Sequence, residues 1–200
     1  MCHLIVGTED HVKQLRLLHA VRNDLSKRDD QICITSGSFG EGLDMRGSDL
    51  DIMCVYRDKE VYDVKPCLNQ HKSYLSMDTE DVKPGFTQLR LDYCVDQILF
   101  ENCEQFANKF YLSSTIWKPR IPLNEKIIIH GPCFSDRHGY SDIAICLHCK
   151  TWVFAARHWI TRSNNSWPGY DVKQSIMRHG VLFVPIGVKG SPNEDLEWRI

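Results

Sequence analysis

Residues 36–53 read Ser36-Gly37-Ser38-Phe39-Gly40-Glu41-Gly42-Leu43-Asp44-Met45-Arg46-Gly47-Ser48-Asp49-Leu50-Asp51-Ile52-Met53. A short strand candidate, Gln31 to Thr35, ends in Ser-Gly-Ser. A glycine-rich loop follows, and a second strand opens on Asp-x-Asp and runs from Asp49 to Tyr56. Alternate side chains of a strand share a face, so Asp49 and Asp51 are expected to point together while Leu50 and Ile52 point into the core. Two carboxylates on one face backed by apolar neighbours are costly unless a cation neutralises them. Magnesium suits such a pair, because it takes carboxylate and phosphate oxygens and keeps several waters. Gly37 allows a phosphate to approach the backbone closely, and the Ser38 hydroxyl is placed to bind a terminal phosphate oxygen.

Two-metal phosphoryl transfer usually needs a third carboxylate on a neighbouring strand. Asp92, in Leu-Arg-Leu-Asp-Tyr, and Asp142, in Tyr-Ser-Asp-Ile-Ala-Ile-Cys-Leu, are the candidates. Asp142 opens an apolar strand much as Asp49 and Asp51 open theirs, whereas Asp92 closes one, so Asp142 is the expected third ligand.

Outward from this stretch, residues 9–28 read as a helix capped by Thr8, with Val12, Leu15, Leu18, Val21 and Leu25 as its apolar stripe. Strands are expected at Ser73 to Met77, Phe86 to Tyr93 and Asp142 to Leu147, with a turn at Lys83-Pro84-Gly85. Residues 96–110 and 150–160 read as helices, and Val172 to His179 as a helix stopped by Gly180 before the apolar run Val181 to Val184. Strands and helices mix without a regular βαβ rhythm, which predicts an α+β class with a mixed sheet.

The bulk properties bound the function. At 200 residues, 42% hydrophobic and 25% charged, the chain has the composition of a globular domain, which excludes disorder, collagen and coiled-coil rods. No stretch approaches the roughly 18 apolar residues of a membrane span, so no membrane role is expected. The opening residues lack a basic region and a long apolar run, which excludes a signal peptide. Nine cysteines, an odd number, several of them inside apolar runs, read as reduced thiols of a cytoplasmic or nuclear protein. Net charge is −2, which argues against general nucleic-acid binding. It is unevenly spread: residues 1–117 carry 13 basic and 19 acidic side chains, and residues 118–200 carry 11 and 7. An acidic half beside a basic half suits a site with metal on one side and phosphate on the other, and equally suits two halves that attract each other.

The order of motifs resembles the nucleotidyltransferase superfamily of polymerase-β type, and within it the Mab-21 family that includes the cyclic GMP-AMP synthases. Besides Gly37-Ser38 and Asp49-Leu50-Asp51, the similarity runs through Asp142, Cys149-Lys-Thr-Trp152 and Trp159-Ile-Thr-Arg162. It continues through Ser166-Trp167-Pro168, Leu182-Phe183-Val184-Pro185 and Glu197-Trp198-Arg199-Ile200. The wording of Gly47-Ser-Asp-Leu-Asp-Ile-Met53 and of Asn193-Glu-Asp-Leu-Glu-Trp-Arg199 is similar to the invertebrate Mab-21-like proteins, molluscan ones above all.

The resemblance implies a bilobed fold whose catalytic lobe has a twisted mixed sheet flanked by helices. Residues 1–30 would form an N-terminal helix packed on that lobe, and residues 31–200 an incomplete nucleotidyltransferase domain. The helical second lobe, which in the family follows Trp-Arg-Ile, is expected to be mostly missing. It implies Asp49, Asp51 and Asp142 as ligands of two magnesium (or manganese) ions, Gly37 and Ser38 at the donor triphosphate, and Arg199 against a base. The implied activity joins ATP- and GTP-type nucleotides into a cyclic dinucleotide, gated by a ligand such as double-stranded nucleic acid in innate immunity. The alternative is a catalytically silent Mab-21-like scaffold.

Other motifs read more plainly. Cys146-Leu-His-Cys149 lacks the second pair that structural zinc requires, and reads as buried thiols. Trp152 and Trp159, seven apart, read as one helical core face rather than a base-stacking platform. Arg157, Arg162, Lys173 and Arg178 read as a solvated basic face, Asp78-Thr-Glu-Asp81 as an exposed turn, and Lys189-Gly-Ser191 as a surface loop.

Overall fold

The computed structural model describes residues 7–43, 49–118, 127–161 and 169–200. In chain order the elements are helix α1 (Glu9–Leu25), strand β1 (Gln31–Ser36), the single turn α2 (Gly37–Gly40), β2 (Leu50–Tyr56), β3 (Lys59–Tyr62), β4 (Ser73–Asp78) and β5 (Phe86–Tyr93). Then come α3 (Gln97–Glu101), β6 (Cys103–Phe106), β7 (Lys109–Leu112), α4 (Ser114–Trp117), β8 (Ile127–His130), β9 (Cys133–Asp136) and β10 (Ser141–Cys149). The last are α5 (Arg157–Thr161), α6 (Tyr170–His179), β11 (Val181–Phe183) and β12 (Glu197–Arg199). The class is α+β, as the mixed pattern predicts. None of the helices among the described residues is long and apolar enough to cross a membrane.

The chain divides into two compact units, one of residues 1–57 and 120–145, the other of 58–119 and 146–200. In the first, the strand order is β1-β2-β10-β9-β8. β1 and β2 are antiparallel, with Ser36 opposite Asp51, and Leu50 N donates to Tyr140 O at 2.9 Å at the start of β10. β9 is antiparallel to both β10 and β8.

α1 begins where its sequence asks it to: Thr8 is extended and its side chain accepts from His11 N. The face it turns inward differs from the expected stripe. His19 is buried against Phe39, with ring centroids 4.5 Å apart. Asn23 Oδ1 accepts from Thr35 N at 3.1 Å and from Thr35 Oγ1 at 2.8 Å, and Arg16 Nε donates to Glu41 O at 2.7 Å. Val12 and Leu15 are half-buried, but Leu18, Val21 and Leu25 are exposed. Side-chain hydrogen bonds to β1 and the following turn, not apolar periodicity, set the rotation of this helix.

In the second unit the order is β3-β4-β5-β7-β6, with β12 on the other side of β5 and β11 paired to the end of β10 at Leu147–Cys149. β3 and β4 are parallel, and the other pairs are antiparallel. The core gathers Leu75, Leu89, Leu99, Leu112, Leu147, Val153, Phe183 and Trp198, all fully buried. Trp198 Nε1 donates to Leu112 O at 2.9 Å, and its ring packs on Trp117 with centroids 6.2 Å apart. The indole thus satisfies its one polar group while filling the core.

Two expected helices are shorter than the periodicity suggests. In residues 96–110, Asp96 caps only α3, and Asn102 ends it. Beyond it lies the hairpin β6–β7, turned by Ala107 and Asn108 at φ 47° and 62°. A two-residue turn with both central residues left-handed matches the twist of paired strands, and Asn tolerates that conformation. In residues 150–160, a 3-10 turn at Phe154–Ala156 precedes α5. Trp152 therefore precedes the helix, yet its ring still meets that of Trp159 at 5.3 Å, both half-buried.

Candidate metal centre

The acids separated in sequence meet at one end of the first unit's sheet. β1 delivers the chain to Gly37, β2 carries Asp51 with Asp49 just before it, and β10, next to β2, carries Asp142. One carboxylate oxygen from each of Asp49, Asp51 and Asp142 lies within 4.8 Å of the others. Asp142 is the acid that joins the pair. Asp92 is committed elsewhere, accepting from Tyr62 Oη at 2.5 Å and from Arg90 Nε at 3.0 Å in the second unit. Its desolvation is outweighed by the hydrogen bonds of Ser76, Tyr62 and Arg90, which hold its pKa below the ordinary carboxylate value.

Among the described residues no lysine or arginine pairs with the three aspartates; the imidazole nitrogen His130 Nδ1 lies 3.9 Å from Asp142 Oδ2. Burial lifts the Asp51 pKa above its ordinary value, and the charges of Asp49 and Asp142 add to the rise. Like charges gathered this closely disfavour ionisation unless a cation joins them.

Gly37 belongs to the same constellation. Its φ is +64°, and a Cβ built there would lie 1.9 Å from Asp51 Oδ2. Only glycine gives both the left-handed backbone and the room for the carboxylate. Ser38, half-buried, follows in α2, and its carbonyl accepts from Leu43 N at 2.9 Å, so the turn is closed on itself. All-oxygen donors, the absence of a cationic partner among the described residues and the glycine cradle fit a hard divalent cation.

Arg199, the expected base contact, lies in the second unit on β12, where its backbone pairs with Phe86 and with Val184 and its side chain is exposed. Gly47, Ser48, Arg162 and Ser166-Trp167-Pro168 lie outside the described residues.

The remaining motifs behave as ordinary structure. Cys146 and Cys149 are buried, reduced thiols, and His148 Nε2 donates to His179 O at 2.6 Å. Arg157 lies over the Phe154 ring at 3.9 Å. Sequence reasoning missed His130. Nothing in Ile127-Ile-Ile-His130 announces a strand returning beside Asp142.

No protein-family model matches this chain, and no curated protein matches it in sequence.

Proposed function

We propose that this chain carries the metal centre of a magnesium-dependent nucleotidyltransferase of cyclic GMP-AMP synthase-like type, with the polymerase-β-type lobe that the motif order implies. The observation that carries the reading is the convergence of Asp49, Asp51 and Asp142 within 4.8 Å from two neighbouring strands, with Gly37 pressed against Asp51. Its substrates would be ATP- and GTP-type nucleotides and its product a cyclic dinucleotide.

In this reading Asp49, Asp51 and Asp142 hold magnesium or manganese. When bound, that metal polarises the attacking ribose hydroxyl and stabilises the pyrophosphate leaving group. The protein's own residues orient the reactants. Gly37 leaves the backbone bare so that the donor triphosphate reaches the turn, and the Ser38 hydroxyl donates to a phosphate oxygen. Asp51 takes the position nearest that turn.

Calorimetric titration of Mg2+ and then ATP or GTP tests this, on the wild-type chain and on Asp49→Asn/Asp51→Asn. Magnesium-dependent nucleotide binding that disappears in the double variant is the expected result. A folded wild-type chain that binds neither the ion nor nucleotide refutes it.

A further inference from the structure

We infer that His130 supplies an imidazole nitrogen to the ion held at Asp142, giving this centre a stronger preference for transition-metal ions than its three carboxylates alone would have. The inference rests on the metal-centre reading above and deepens it.

Strand register brings His130 there. Asp142 is opposite Ser135, and Ala144 is opposite Cys133, on the antiparallel pair β9–β10. Cys133 is in turn opposite His130 on β8. Directly paired residues share a face, and residues two apart on a strand share it too. His130, Cys133, Ser135, Ala144 and Asp142 therefore lie on one face, and His130 reaches the acid along a diagonal. The hairpin tip is fixed by Gly131, at φ +58°, followed by Pro132. Such a tight turn holds His130 at the last position of its strand.

The distance suits a shared ion. Two ligands each about 2.1 Å from one ion lie roughly 3–4 Å apart, depending on their angle. His130 Nδ1 is 3.9 Å from Asp142 Oδ2. The Asp142 side chain is 15% exposed and the His130 side chain 81% exposed, so the imidazole stands at the solvent rim of the centre, free to swing onto an ion. His130 is not one of the three mutually close acids, so it engages the cluster through Asp142 alone. The chemistry then decides the ion. Magnesium prefers oxygen ligands and gains little from an imidazole, whereas cobalt, nickel and zinc gain a good nitrogen donor.

The test is calorimetric titration of the whole chain with Co2+ and, separately, Mg2+, for wild type, His130→Ala and Asp51→Asn. The His130 ring resonances are followed by NMR as Co2+ is added. His130→Ala should weaken Co2+ binding about tenfold or more and leave Mg2+ affinity within about twofold. In wild type the His130 ring should be broadened by sub-stoichiometric Co2+ before the other histidines. A variant that loses both ions equally, or neither, overturns the role of His130, as does a ring that Co2+ leaves sharp. The parent reading fails separately. If Asp51→Asn binds both ions as wild type does, or wild type binds neither, the aspartate centre is wrong and this inference falls with it.

Discussion

Removing a carboxylate from the candidate metal centre should make the ion-free protein more stable. The perturbation is Asp51→Asn, which keeps the side chain's shape and deletes its charge. Asp51 faces Asp49 and Asp142 at no more than 4.8 Å. Unit charges at 4.8 Å repel by about 0.9 kcal/mol in a water-like dielectric and about 3.5 kcal/mol at an effective dielectric of 20. Asp49 is exposed while Asp51 and Asp142 are half-buried, so the low figure sets a floor, and two pairs sum to at least about 1–2 kcal/mol. For a chain of this length that is a rise in Tm of about 3–6 °C. The pH dependence has a definite sign. Asp51's pKa is raised in the folded state above the ordinary aspartate value of 3.8. The repulsion is therefore present at neutral pH and relieved as pH falls through the raised value toward 3.8, and the variant's advantage should fade over that window. The assay is thermal unfolding in low-salt buffer with chelator, repeated with saturating Mg2+. Magnesium should raise the wild-type Tm, by the equivalent of about 2.7 kcal/mol at a hundred times Kd, and raise the variant's far less. A variant that melts below wild type in chelator refutes the picture of three uncompensated carboxylates.

Gly37→Ala should cost at least about 2 kcal/mol in urea unfolding, from the left-handed backbone together with the 1.9 Å approach of the new Cβ to Asp51 Oδ2, and should weaken Mg2+ binding because Asp51 must give way. Asp96→Asn tests the second unit. Lys59 is buried and bonds both Asp58 and Asp96, at 2.7 and 2.9 Å. Burial works against Asp96's ionisation, but Lys59 and the amides of Ile98 and Leu99 outweigh it and lower its pKa from 3.8. Its contribution is thus present above 3.8 and lost as pH falls through the lowered folded value. The variant should lose about 1–2 kcal/mol at pH 7 and progressively less as pH falls through the lowered folded value, measured by urea midpoints across a series of acid pH values.

Of the strands around the candidate centre, β1, β2 and β10 were legible because two local signals agreed there, whereas β8 and β9 were not. Alternating apolar residues bounded by Gly and Pro marked β1, β2, β4, β5 and β10, and β5 begins and ends at Phe86 and Tyr93 as the pattern predicts. Asp142 could be preferred over Asp92 because opening an apolar strand differs physically from closing one. What the sequence hid was set by partners distant along the chain. β3 is a four-residue edge strand whose Lys59 is buried only because Asp58 and Asp96 neutralise it, so its polarity reads as loop. β12 owes its conformation to β5 rather than to its own residues. α1 turned out to face inward with His19 and Asn23, since bonding to Thr35 and stacking on Phe39 outweigh burying Leu18 or Leu25. Hydrophobic periodicity carries no record of such bonds.

The packing of Trp198 sets an order of events during synthesis. The carbonyl that receives its indole N–H belongs to Leu112, 86 residues earlier. Leu112, Trp117 and the β12-facing edge of β5 all leave the ribosome long before their covering strand does. At typical rates of about 5–20 residues per second, that apolar surface waits several seconds for its partner. The second unit can gain its full cooperativity only after Trp198 has emerged, and that interval is when the nascent chain is most exposed to association with other chains.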